Sequence, residues 1–76
     1  MNATTQAIIE RLPRKPLLSP GDIAAAYGLA TPLSILADIK TGRLAANRIS
    51  GKYIIARVAA ERYIEKNEYM PDEGTI

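Results

Sequence analysis

Apolar residues recur along this chain first at helical and then at strand spacing, with explicit punctuation between the stretches. Ser19-Pro20-Gly21-Asp22 opens a helix: the serine oxygen caps early backbone N–H groups, Pro20 takes the position whose donor would be orphaned, and Asp22 completes a variant capping box. Ile23, Ala24, Ala26 and Tyr27 make that helix mostly apolar, and Gly28 ends it. Thr31-Pro32 starts a second helix in the same way and Gly42 stops it. At about 100° per residue, Pro32, Ile35, Leu36 and Ile39 share one side, while Ser34, Ala37 and Thr41 share the other, flanked by Leu33 and Asp38. Arg43 to Ile49, a Ser50-Gly51 tip and Lys52 to Ile55 read as a two-stranded hairpin. A closing helix from Arg57 to about Asn67 carries Ala59, Ala60, Tyr63 and Ile64 on one stripe, and Arg57, Glu61 and Glu65 on another. Ahead of all this, Thr4 to Leu12 fits a short helix with Ile8, Ile9 and Leu12 on one side, stopped by Pro13.

This order predicts a fold that is mainly α with a small β-hairpin, on the plan of a winged helix-turn-helix spanning residues 16–66. Residues 1–15 form an N-terminal arm or short helix that either caps the core or mediates self-association, and residues 67–76 form a flexible acidic tail. With 76 residues the chain is a single domain. A domain of this size buries only about 60% of its unfolded surface, so stability rests on a small core. Its expected members are Leu18, Ile23, Tyr27, Leu29, Ile35, Leu36, Ile39, Leu44, Ile49, Ile55, Ala59, Tyr63 and Ile64.

Composition removes whole classes of chemistry. Without cysteine or histidine there is no disulfide, no thiolate nucleophile, no usual zinc ligand set and no imidazole acid–base pair. No glycine-rich phosphate loop is present, and nothing points to a catalytic residue, a metal, a cofactor or a small-molecule substrate. The apolar runs are too short to cross a membrane and the N-terminus lacks a signal pattern, so a cytoplasmic protein is the expectation.

Charge sharpens the reading. The net is only +2, yet Lys40, Arg43, Arg48, Lys52 and Arg57 fall within residues 40–57, a stretch free of Asp and Glu. After position 60 the sign reverses, with Glu61, Glu65, Glu68, Asp72 and Glu73 facing only Arg62 and Lys66. The basic side is the expected phosphate surface, with Arg14 and Lys15 as a second clamp. In a winged helix-turn-helix the second helix enters the major groove by its N-terminal part. There Thr31 and Ser34 can donate to phosphate or a base edge, Leu33 can touch a thymine methyl, small Ala37 permits close approach, and Thr41 extends the same face. That face reads equally as plain solvent surface. Arg48, Ser50 and Lys52 form the wing candidate, against the reading that the two cations only keep an exposed hairpin soluble. Tyr53 is either a core-edge aromatic or a stacking residue, Arg43 serves either DNA or the carbonyl end of the second helix, and Asp38 is a surface charge or local cap.

Three segments carry a resemblance to a known family: Leu17-Leu18-Ser19-Pro20-Gly21-Asp22-Ile23-Ala24, Thr41-Gly42-Arg43-Leu44, and Arg48-Ile49-Ser50-Gly51-Lys52-Tyr53-Ile54-Ile55. Together they resemble the excisionase-type, MerR-like winged helix family. The resemblance implies a phage or mobile-element excisionase, or recombination directionality factor. Such a protein is not an enzyme; it binds and bends attachment-site double-stranded DNA so that a separate tyrosine or serine integrase favours excision. It also implies cooperative loading of copies on DNA and a C-terminal segment that touches the integrase or a neighbouring copy. Small transcriptional regulators share the fold. The chain departs from the family where Arg, Ser or Thr commonly start the second helix: here stand Thr31-Pro32-Leu33-Ser34, with acidic Asp38 beyond. Bidentate reading of guanine or adenine is therefore missing from its expected place, and base discrimination by this helix is expected to be modest. The same bare, uncharged face keeps a protein–protein adaptor open as a competing reading.

Overall fold

In the computed structural model, which describes residues 1–68, the order of elements is α1 (Ala3–Glu10), β1 (Leu17–Leu18), α2 (Pro20–Tyr27), α3 (Leu33–Lys40), β2 (Asn47–Ile49), β3 (Lys52–Ala56) and α4 (Arg57–Lys66). The acidic tail expected beyond Glu68 lies outside the described residues. Helix α2 starts as expected: the Ser19 side chain accepts from the Asp22 N–H at 3.1 Å and the Asp22 carboxylate accepts from the Ser19 N–H at 2.9 Å. It ends on Gly28 at φ 78°, where the Leu29 N–H bonds back to Ala24 and the Gly28 N–H to Ala25. This double closure satisfies carbonyls that would otherwise be orphaned.

Helix α3 closes by the same device. The Arg43 N–H reaches the Asp38 carbonyl, the Gly42 N–H reaches Ile39, and Gly42 sits at φ 82°. Its start differs from expectation, since Pro32 occupies the N-cap position and Thr31 lies one residue further out. A proline side chain offers no acceptor, and the Thr31 hydroxyl reaches the Leu33 N–H only at 3.5 Å. The helix is held by packing instead, with Ile35 buried and Leu36 and Ile39 half-buried.

The hairpin is present, but its first strand is only Asn47–Ile49, and residues 43–46 cross the core as loop with Leu44 buried beneath. The strands pair antiparallel in the order β1-β3-β2, so Leu17-Leu18 add a third strand that the sequence reading lacked. Two residues are too few to show an alternation, which is why β1 left no signature. At the hairpin tip both loop residues have positive φ, 51° at Ser50 and 77° at Gly51, as a two-residue turn between right-twisted strands requires.

A single core joins every helix. Leu12, Leu18, Ile23, Ile35, Leu44, Ile55, Ala60, Tyr63 and Ile64 are buried, with Ala24 and Ala26 filling the close approaches of α2. Burying each large aliphatic contributes about 1.5–3 kcal/mol. Three expected members are outside it. Leu36 is half-buried but belongs neither to the cluster nor to the residues packed on it. Leu29 is 44% exposed, because it follows the left-handed Gly28 and its backbone is used to close α2. Ile49 is 59% exposed: it pairs with Lys52, which puts it on the opposite sheet face from Ile55.

The N-terminal segment is part of this core. Leu12 is buried, Ile8 and Ile9 pack against the cluster, and Thr5 is the buried residue of α1. Asn2 caps α1 by accepting from the Thr5 N–H at 2.7 Å, and its own N–H donates to the Glu68 carboxylate at 2.6 Å, tying the start of α1 to the end of α4. The apolar side of α1 therefore packs within the chain, in line with the first of its two expected roles, a cap over the core.

Candidate nucleic-acid interface

Pro32 and Leu36, the hairpin tip and the start of α2 border one groove of about 510 Å³, mostly apolar. Pro32 and Leu36 form one bank, Gly51, Lys52 and Tyr53 the other, and Lys15 stands at the rim. The N-terminal part of α3 and the turn of the hairpin thus flank a common opening, as sequence spacing alone had only implied.

On the outward side of α3, Leu33 is 69% exposed, and Ser34, Ala37, Lys40 and Thr41 are exposed with it. Thr31 is exposed just ahead of the helix. The Thr41 hydroxyl donates to the Asp38 carbonyl at 3.3 Å, so it is partly engaged by its own helix end. Asp38 is no free surface charge: its carboxylate accepts the hydroxyl of Tyr63 from α4, pinning the C-terminal turn of α3 to the core. Burial and the adjacent Asp38 charge together push the Tyr63 hydroxyl above its ordinary pKa.

The hairpin presents Arg48, Ser50 and Lys52 to solvent. Arg48 and Tyr53 are directly opposed across the two strands, and the guanidinium carbon of Arg48 lies over the Tyr53 ring, 5.5 Å from its centroid. Tyr53 is half-buried: its ring borders the groove and its face carries the Arg48 cation. Among the described residues, Lys40, Arg43, Arg48 and Lys52 pair with no carboxylate. Such a set can donate to anionic oxygens without first breaking an ion pair.

Two expected cations stand apart from that set. Arg57 bonds Glu61 through its Nε at 3.1 Å and also donates to the Pro13 carbonyl, so it clasps the α1–β1 connection to α4. Lys15 pairs with Asp22 at 3.3 Å, which draws it toward the α2 cap. The Ser19 N–H, followed by Lys15, holds the Asp22 carboxyl below its ordinary pKa, partly offset by burial. Arg14 is exposed and has no such partner among the described residues.

No family model, curated protein or solved structure matches this chain. Its functional reading therefore rests on the residues themselves. Among the described residues, no helix is long and apolar enough to cross a membrane, and no cluster of three or more Asp or Glu is placed to hold a metal ion.

One grouping went unnoticed in the sequence. Arg43, at the end of α3, lines a second cleft together with Arg62 and Lys66 of α4. The sequence reading counted the latter two only as offsets to an acidic end. The signal was there: Arg62 and Lys66 are four residues apart, one helical turn, with like charge.

Proposed function

We propose that this chain is a DNA-binding protein of the winged helix-turn-helix kind, with α3 as the groove-facing helix and the β2–β3 hairpin as the wing. The observation that carries the reading is that α3, exposed and uncharged at Leu33, Ser34 and Ala37, stands across a groove at Pro32 and Leu36 from a hairpin whose cations Arg48 and Lys52 have no carboxylate partner among the described residues. Phosphate contacts supply affinity and position, and base edges supply discrimination. With Leu33, Ser34 and Ala37 forward, the α3 face offers one hydroxyl and two apolar groups and no fork of donors. Affinity is then dominated by backbone contacts, and sequence preference is modest.

Within that class, the resemblance of the three quoted segments to excisionases favours a recombination directionality factor that binds and bends attachment-site DNA beside an integrase. A small phage or mobile-element transcriptional regulator is the neighbouring reading. Gel-shift titration on a mixed-sequence duplex, at low and moderate salt, tests the shared part. Arg48→Ala and Lys52→Ala should each flatten the dependence of log affinity on log salt by about 0.9. Absence of binding at low salt would overturn it. A recombination assay with an integrase encoded beside this chain separates the two: a shift toward excision identifies the directionality factor.

The 69% exposure of Leu33 favours a second reading, in which the same α3 face docks on a protein. In that case Leu33→Asp would abolish partner binding, and the hairpin substitutions would leave it unchanged.

A further inference from the structure

The cleft of about 260 Å³ between the end of α3 and the outer side of α4 is lined by Gly42, Arg43, Arg62 and Lys66, with Leu44 and Ala59 at its floor, and by no carboxylate. All three cations are exposed, and among the described residues none makes an ion pair or a side-chain hydrogen bond. Arg62 and Lys66 stand one helical turn apart, an arrangement that costs a helix stability. Lys66 recovers some of this from the carbonyl end of α4, where a cation is favourable, but Arg62 lies before the last turn and does not. Asp38, in the C-terminal turn of α3, is engaged by the Tyr63 hydroxyl and does not line the cleft. Three cations that line one cleft and pair with no carboxylate among the described residues are suited to an anionic oxygen.

We propose that Arg43, Arg62 and Lys66 form a second phosphodiester clamp, gripping the DNA strand opposite the one held by the hairpin. The inference rests on the DNA-binding reading and extends it to α4. Position favours phosphate over the carboxylates of a protein partner. Helix α3 runs from the groove beside Lys52, bordered by Pro32, to this cleft, bordered by Gly42 and Arg43. Eight residues of helix span about 12 Å, close to the roughly 12 Å width of the major groove. A helix of that length with cations at both ends brackets the groove with one charged station on each wall.

The test uses the full chain with Arg62→Gln and Lys66→Gln together, which keeps much of the aliphatic stems while removing both charges. Binding to a mixed-sequence duplex is measured between about 50 and 200 mM salt, where losing two phosphate contacts should flatten the salt slope by about 1.8 and raise the Kd. The free protein should melt at an unchanged or higher temperature, because the like-charge pair is gone. Unchanged affinity and slope, with Arg48→Ala and Lys52→Ala still weakening binding, would overturn the clamp and leave the DNA-binding reading standing. If the hairpin variants are inert as well, that reading falls with it. If only the concentration dependence of sedimentation changes, the cleft takes carboxylates from a second copy and the phosphate assignment is wrong.

Discussion

Arg48 sits directly across the hairpin from Tyr53, with its guanidinium carbon 5.5 Å from the ring centroid. Every residue of β2 is exposed, so this strand gains almost nothing from the core. The stacked pair is what orders its cation. Tyr53→Phe should preserve the arrangement, whereas Tyr53→Leu should weaken the hairpin by about 0.5–1 kcal/mol. Ring-current shifts of the Arg48 side-chain protons report the contact directly: they should persist in the phenylalanine variant and vanish in the leucine one.

Tyr63, buried in the core, and Tyr27, half-buried against it, should respond oppositely to loss of their hydroxyls. They meet edge to face at 6.3 Å, yet Tyr63 donates to Asp38 while the buried Tyr27 hydroxyl has no hydrogen-bond partner among the described residues. Burial raises the pKa of the Tyr27 hydroxyl, with Asn67 offsetting this in part and the Asp38 charge adding to it. Tyr63→Phe should cost about 1.5–3 kcal/mol, because a part-buried carboxylate loses its donor, and Tyr27→Phe should be neutral or slightly stabilising. Urea titrations of both variants check the contrast. The raised pKa of Tyr63 fixes the alkaline sign: its contribution is complete below the unfolded value of about 10 and is lost as pH rises through the higher folded value.

At the acid end, the α2 cap sets the direction. Asp22 is held below its ordinary pKa by the Ser19 N–H and by Lys15. Its contribution is therefore complete above the unfolded value of about 4 and fades as pH falls through the lower folded one. Ser19→Ala should cost about 1 kcal/mol at neutral pH. Asp22→Asn should show a flatter loss of stability between about pH 5 and 2 than the parent chain, read from thermal melts in that window.

Ser50 holds φ 51°, a conformation that L side chains rarely adopt, and Gly51 follows at 77°. Asn-Gly suits this turn better than Ser-Gly, so Ser50→Asn should stabilise the protein by up to about 1 kcal/mol. Nothing lies within 4 Å of a Cβ built on Gly51, so Gly51→Ala isolates backbone strain from crowding and should cost about 1 kcal/mol. Thermal melts measure both.

Leu12 tests whether the N-terminal segment belongs to the fold. It is 2% exposed and packs with the core cluster that includes Ile64. Leu12→Ala should cost about 2–5 kcal/mol, a large share of the stability of so small a domain. A detachable arm would show almost no change in urea midpoint.

What the sequence determined by itself was local. The Ser19 box, the stops at Gly28 and Gly42 and the Ser50-Gly51 turn are set by hydrogen bonds and backbone preferences within a few residues, and all stand where the residues put them. The separation of Ile35 from the exposed Leu33, Ser34 and Ala37 follows likewise from helical period. Partnership was decided only by the tertiary structure. Whether Arg57 meets a phosphate or Glu61 and Pro13, whether Asp38 is solvated or receives Tyr63, whether α1 docks at home, and that Arg43 stands with Arg62 and Lys66, all depend on segments far apart in sequence. Charge and apolarity state what a side chain needs, and long-range packing selects which neighbour supplies it.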